Sequence, residues 1–298
     1  MKRQTMVVAP IIAALVKAED RIGANRVWQA INDLQKKFLT EHFIHRDKLG
    51  NFRPEELRSW ISESADELNK ILTEEGFDIQ LSEFPSGQFG VLSILDVLVD
   101  WLVEGRQIEI FSGGKKYAGV EMKRGELTED GPKLIFEAFR VSEHSHPIAC
   151  VHTKSGDRVF MTIAGKEVEG FDLVDAIDEI RKLQFEIDYF EKLEFPMIDY
   201  CQTIDISWLL GMTTNDLIGS SWDISQAIQQ TKFKMNHQGA RVKSAVAMAI
   251  RMLSINIPKV LRIDKPFWFW TEREGLEIPI IYGYFDTGDW KNPGSLEM

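Results

Sequence analysis

After Gly239 the chain runs to Ile257 without another glycine and without a proline, although the segments before and after it read as strands. The stretch is rich in Ala, Val and Met, and it opens with Arg and Lys at alternate positions. In an extended chain Ala240, Val242, Ser244 and Val246 fall on one side and Arg241, Lys243, Ala245 and Ala247 on the other. That is the period of a strand with one buried face. Ala and Met are also good helix formers. A segment suited to both states points to a fold that uses it as a conformational element.

The 298 residues are 44% apolar with no low-complexity tract, which suits one large domain or two ordinary ones. A net charge of -11 argues against sequence-independent binding to nucleic acid, which needs a basic face. Cys150 and Cys201 make no disulfide framework and are expected as buried free thiols. No apolar run is long enough to span a membrane. Lys2 and Arg3 before the apolar run Met6–Val16 look superficially like a signal peptide. Pro10 interrupts that run, and Lys17, Glu19 and Asp20 stand where a small-residue cleavage site belongs, so an intracellular chain is favoured over a secreted one.

Taken in order, residues 8–40 have helical spacing, with Val27, Ile31, Leu34 and Phe38 as the apolar set. Arg53–Gly76 is expected as a second helical region around Trp60, Ala65, Leu68 and Ile71. Phe89–Val103 reads as one long strand buried on both faces. Ile108–Phe111, the turn Ser112–Lys115 and Lys116–Met122 form a hairpin pattern. Leu134–Arg140, Ala149–His152 and Val159–Ile163 are shorter strands, Val168–Glu186 is a helix, and Leu193–Ile206 and Ser225–Asn236 are strands.

The order of four segments carries a family resemblance: PMIDYCQTIDI (Pro196–Ile206), ISQAI to NHQG (Ile224–Gly239), the small-residue stretch after Gly239, and Lys265-Pro266-Phe267. Together they resemble the serpins, the serine protease inhibitors. The resemblance is continuous from about Tyr189 to the C-terminus and looser over 90–188. Over 1–89, expected as mainly helical, it is confined to patches such as the Ala9–Gly23 helix start. It implies an α+β fold over 1–298 as one domain with a shortened N-terminal half. A large mixed central β-sheet and smaller sheets would be packed round with helices, and a reactive-centre loop would be exposed over 239–257.

The same resemblance implies a hinge at Gly239, Ala240, Arg241, Val242, Lys243, Ser244, Ala245 and Val246. Counting on from Gly239 puts the scissile bond at Leu253–Ser254, with Met252 and Arg251 as alternatives. The implied activity is suicide inhibition. A serine protease, or a cysteine protease, acylates itself on the loop, and the cut hinge then inserts into the central sheet as a strand. Leu253 suits a chymotrypsin-like target and Arg251 a trypsin-like one. The resemblance implies no catalytic residue, no cofactor, no metal, and a monomer that binds neither nucleic acid nor membrane.

Several positions depart from the family pattern. His237-Gln238 replaces an acidic pair before the glycine, Gln229 stands where the family has His, and Gln107 stands where a Trp is usual. Val99, or Asp100 in a register shifted by one, replaces an Asn. These changes favour the alternative of a non-inhibitory serpin-fold protein that acts as a binding or scaffold module. A third alternative is an unrelated α+β protein, enzymes included. His144, His146, Cys150 and His152 are of metal-ligating types but match no compact zinc frame, since Pro147 intervenes. His42 and His45, one helical turn apart, read as a surface helix end, and Phe267–Trp270 as a core strand.

Overall fold

The computed structural model describes residues 5–128, 131–168, 170–238 and 259–296. The hinge Gly239–Val246 and the candidate bond residues Arg251, Met252, Leu253 and Ser254 lie outside the described residues.

Helix α1 (Ala9–Ile22) starts on Pro10, whose fixed φ suits a first turn. It ends on Gly23 at φ 66°, a left-handed cap whose N–H donates to the Glu19 carbonyl. Strand β1 (Ala24–Gln29) and helix α2 (Asp33–Glu41) follow, and the Asn32 side chain caps α2 by accepting from the Gln35 N–H. Residues 8–40 are therefore two helices broken by a strand. Val27, Ile31 and Leu34 are exposed, and only Phe38 of the expected apolar set is buried.

The second expected helix also divides. A 3-10 turn over Phe43–Asn51 leads to strand β2 (Leu57–Ser62), which carries Trp60, and only then comes helix α3 (Ala65–Glu74). Ser64 caps α3, and Leu68 and Leu72 pack on Leu92 and Ile94. Strand β3 is confined to Gly90–Leu95, with alternating burial rather than two buried faces, so the expected strand Phe89–Val103 stops eight residues early.

Strands β4 (Arg106–Ser112) and β5 (Lys115–Lys123) form the expected hairpin. Its two-residue turn is Gly113-Gly114, at φ 55° and 78°, the geometry of a primed turn. The small hairpin β6 (Gly125–Thr128) and β7 (Gly131–Leu134) precedes β8 (Phe136–Val141), β9 (His144–His152) and β10 (Arg158–Ile163). Helix α4 (Phe171–Arg181) is shorter than its apolar pattern suggests. Strand β11 (Glu186–Asp188) follows, and then β12 (Lys192–Pro196) and β13 (Ile198–Ile204) divide the expected strand Leu193–Ile206 at Met197. The last elements are β14 (Thr213–Asp216), β15 (Ser221–Asp223), β16 (Gln229–Met235), β17 (Val260–Arg262), β18 (Phe267–Glu272) and β19 (Ile281–Phe285).

A six-stranded sheet in the order β11-β8-β9-β10-β18-β19 separates two cores. Alternation along β18 places Trp268 and Trp270 in the core beneath α1 and α4, and Phe267 and Phe269 in the core shared with β5 and β12. Cys150 and Phe160 face the first core; Ala149, Val151, Val159 and Met161 face the second. Phe160 and Trp270 stack across the sheet at 5.0 Å and 4°. A four-stranded sheet, β17-β12-β5-β4, lies over the second core.

Where one large central sheet is expected, two separate two-stranded sheets stand as its halves. β2 pairs with β3, β13 pairs with β16, and among the described residues no strand pairing joins the halves.

Candidate functional site

Between the halves lies a cavity of about 570 Å³, walled by β3 on one side and by residues 221–236 on the other. Its lining is mainly apolar, with Ile11 and Leu15 of α1 and Phe84, Phe89 and Leu92 among the walls. Gln229 and Thr271 also line it, and neither Gln229 Oε1 nor Thr271 Oγ1 has a hydrogen-bond partner among the described residues. The Gln229 amide nitrogen donates to the Val7 carbonyl at 2.9 Å. Sheet edges with free N–H and C=O groups facing an apolar slot are a template for an added strand. β16 leads directly into the stretch that begins at Gly239.

At that exit the chain after β16 is pinned to the β3–β4 connection and to β4 of the four-stranded sheet. The Trp101 indole N–H donates to the Asn236 carbonyl at 2.9 Å, and the Gly105 N–H donates to the His237 carbonyl at 2.8 Å. The Gln107 amide meets His237 Nε2 at 2.9 Å. Asn236 in turn donates to the Gly294 carbonyl at 2.9 Å. Asp100, beside this point, is pushed above the usual carboxylate range by burial, with Lys154 working against the shift.

A strap formed by residues 76–84 crosses the front. Asn69 of α3 clips its middle, accepting from the Leu81 N–H at 2.7 Å and donating to the Leu81 carbonyl at 2.9 Å. On the other side Gln230 accepts from the Asp78 N–H at 2.8 Å and Gln226 accepts from the Ser82 N–H at 2.9 Å. Lys232 donates to the Gly76 carbonyl and lies over the Phe77 ring. One face of β16 is thus given to the strap, while Gln229, Thr231 and Met235 on the other face are buried. The polar alternation Gln226, Gln230, Lys232 was the signal in the sequence that would have located the strap.

No family model matches the chain, and no curated protein matches it in sequence. Solved structures do. Uncleaved ovalbumin superposes with a TM-score of 0.59 at 12% identity, over 95% of this chain and 93% of that one. Serpin48 of the insect Tenebrio molitor, described as a highly specific serpin, superposes with 0.56 at 12% identity, over 95% and 92%. The fold is that of a serpin. Human thyroxine-binding globulin, complexed with thyroxine, shares it with a TM-score of 0.55 at 12% identity, over 95% and 91%.

Within the serpin fold the residues singled out in the sequence go to different places. Gln107 and His237 come together at the exit of β16, Gln229 and Val99 line the slot, and Asp100 sits beside it. The histidine group disperses. His144 stacks on Trp268 at 5.7 Å and bonds Thr162, His152 pairs with Glu137 at 3.1 Å, and Cys150 is a core thiol pushed up to about 12 by burial. Among the described residues no three His, Cys, Asp or Glu side chains are placed to hold a metal. Cys201, expected buried, is exposed because β13 turns its side chain away from the core that Tyr200 faces. Phe267–Trp270 is the expected core strand.

Proposed function

We propose that this protein is a suicide-substrate inhibitor of a serine protease, cleaved near Leu253–Ser254, whose hinge then inserts between β3 and β16. The slot of about 570 Å³ between two unjoined strand edges carries this reading. A chain that leaves β16 after Met235 and folds back along it past Gln238 runs antiparallel to β16. Its backbone N–H and C=O groups would bond both edges, and Ala240, Val242, Ser244 and Val246 would face inward on alternate positions. Arg241 and Lys243 would then face outward. The cost falls on Val242, where overpacking of a tight site amounts to roughly 1–3 kcal/mol. Leu253 directs the reading to a chymotrypsin-like protease, and Arg251 or Met252 to other specificities.

A non-inhibitory binding module is favoured by a different observation. The bonds from Trp101, Gly105 and Gln107 tie the chain after β16 to the β3–β4 connection and β4, where the inserting strand must start.

One experiment separates the two. The protein is treated with a trace of chymotrypsin, and in parallel trypsin, then followed by denaturing gel, mass spectrometry of the cut and thermal melting. A protease adduct that survives denaturation, with a cut within 251–254 and a large rise in Tm, supports inhibition. A cut there with unchanged Tm supports the binding module. Absence of any preferred cut between 248 and 257 removes both assignments of the loop.

A further inference from the structure

His42 ends α2 and is 2% exposed, yet neither of its ring nitrogens has a hydrogen-bond partner among the described residues. Buried polar groups are nearly always satisfied, so such a ring calls for a reason. One face stacks on Phe171 at 5.7 Å and 26°, and Phe38 lies 6.3 Å away. The ring lines a polar cavity of about 370 Å³ between the end of α2, the end of α4 and the β18–β19 connection.

The charged groups around it come from every element that packs there: Lys37 and Glu41 from α2, His45 from the 3-10 turn, Asp178, Arg181 and Lys182 from α4, and Glu277 from the β18–β19 connection. Most already have partners. Asp178 accepts from Arg181 at 2.7 Å and from the Tyr282 hydroxyl at 3.2 Å. Lys37 holds Glu41 at 3.1 Å and Asp175 at 2.6 Å. Burial holds His42 below the usual imidazole range, with Asp178 and Glu41 working against that shift.

The neutral ring tolerates this place as an aromatic packing element. An imidazolium brings two N–H donors and a charge, and both need partners. They are met by water drawn into the cavity or by Asp178 taken from Arg181 and Tyr282; either loosens the joint. The other end of α2 is fixed independently, since Gln35 Nε2 donates to the Trp208 and Leu210 carbonyls at 2.8 and 3.0 Å.

We propose that His42 is a proton-operated release between α2 and α4: the neutral ring seats the end of α2 on Phe171, and protonation unseats that end and the turn 43–51 while Gln35 keeps the other end in place. A histidine that resists protonation in the packed state takes up more protons once released. The packed state is therefore at full strength above about pH 6.5 and loses up to about tenfold against the released state per pH unit below it, until His42 is itself protonated while packed.

The test is hydrogen–deuterium exchange of the full chain, expressed as protection factors for amides in 38–52, at about pH 7.5 and about pH 5.5. Protection in the unaltered protein should fall several-fold or more on acidification. It should stay flat in His42→Phe, which keeps the stack and takes no proton, and His45→Gln should behave like the unaltered chain. Equal falls in the unaltered chain and in His42→Phe would overturn the proposal. Should His42→Phe fail to fold, the His42 ring resonances of the unaltered protein decide. A midpoint below about 6.5 supports the release, and one at or above it overturns it.

Discussion

The side chains of Gln107 and His237 meet at 2.9 Å, joining the start of β4 to the end of β16. Each residue is a departure from the family pattern when taken alone, and the structure shows that the two departures are bonded to each other. With the Gly105 N–H on the His237 carbonyl, they fasten the chain after β16 to the β3–β4 connection and the four-stranded sheet at the point where it leaves for residue 239.

If an inserted strand must part this fastening, weakening it should speed insertion without altering the slot. Gln107→Ala removes one partly exposed hydrogen bond, worth about 1 kcal/mol net, which corresponds to about fivefold in rate. The rise in Tm after the loop is cut should then develop about fivefold faster in Gln107→Ala. Equal rates, with the rise present in both proteins, would show that the Gln107–His237 bond does not limit insertion. Absence of the rise in both would instead count against insertion itself.

Arg273, just after β18, ties Glu56 before β2 to Asp157 before β10. It donates to both oxygens of Glu56, at 2.6 and 2.9 Å, and to both oxygens of Asp157, at 2.8 and 2.9 Å. Both carboxylates are buried. Arg273→Met leaves Asp157 without its cation and Glu56 with only Arg53, at 3.9 Å, and should cost about 3–5 kcal/mol in chemical denaturation, part of it recovered by adding Glu56→Gln and Asp157→Asn. The Arg273 hydrogen bonds hold Glu56 below the usual carboxylate range, against the opposing effect of burial. The contribution of Glu56 is therefore complete above about pH 4.3 and is lost as pH falls through its lowered value. Arg273→Met should flatten the acid limb of the stability curve. A limb as steep as in the unaltered protein would place that acid sensitivity elsewhere.

What the sequence revealed depended on whether a local period was enough. β18 and the β4–β5 hairpin were legible because alternation and a Gly-Gly turn are local signals. The serpin fold was legible from the order of segments after Tyr189 rather than from any one of them. Leu193–Ile206 read as a single strand although Pro196 marks a break, since β12 ends there in one sheet and β13 starts at Ile198 in another. Trp60 and Val27 fit a helical period by coincidence, and tertiary pairing of β2 with β3 and of β1 with β14 decided against it. The slot itself was out of reach, because a gap between two sheet halves is a relation between residues more than a hundred positions apart.

On this side the strap's backbone is held by three side chains, Gln226 before β16 and Gln230 and Lys232 on it, so they can be removed singly. Gln230→Ala frees the Asp78 N–H and Gln226→Ala frees the Ser82 N–H, each at about 1 kcal/mol. Exchange of those two amides should quicken about fivefold, each in its own variant, while the amide of Leu81, held by Asn69, keeps its protection. Concerted loss over 77–83 in either variant would mean that the strap opens as one unit rather than bond by bond.

The two cysteines differ enough to report on the fold directly. Cys150 is buried beneath Phe160 and Trp270, and its thiol is pushed up to about 12 by burial, with Arg158 only partly opposing the shift. Reaction needs the thiolate, so this sulfur is inert twice over, by access and by protonation. Cys201 is exposed on β13, with Lys232 opposite it on β16. A thiol reagent at neutral pH should label one cysteine quickly, and Cys201→Ser should abolish that phase. The second should react only at the rate of global unfolding, and become fast in denaturant. Fast labelling of both in the native protein would contradict the packing of the six-stranded sheet around Cys150.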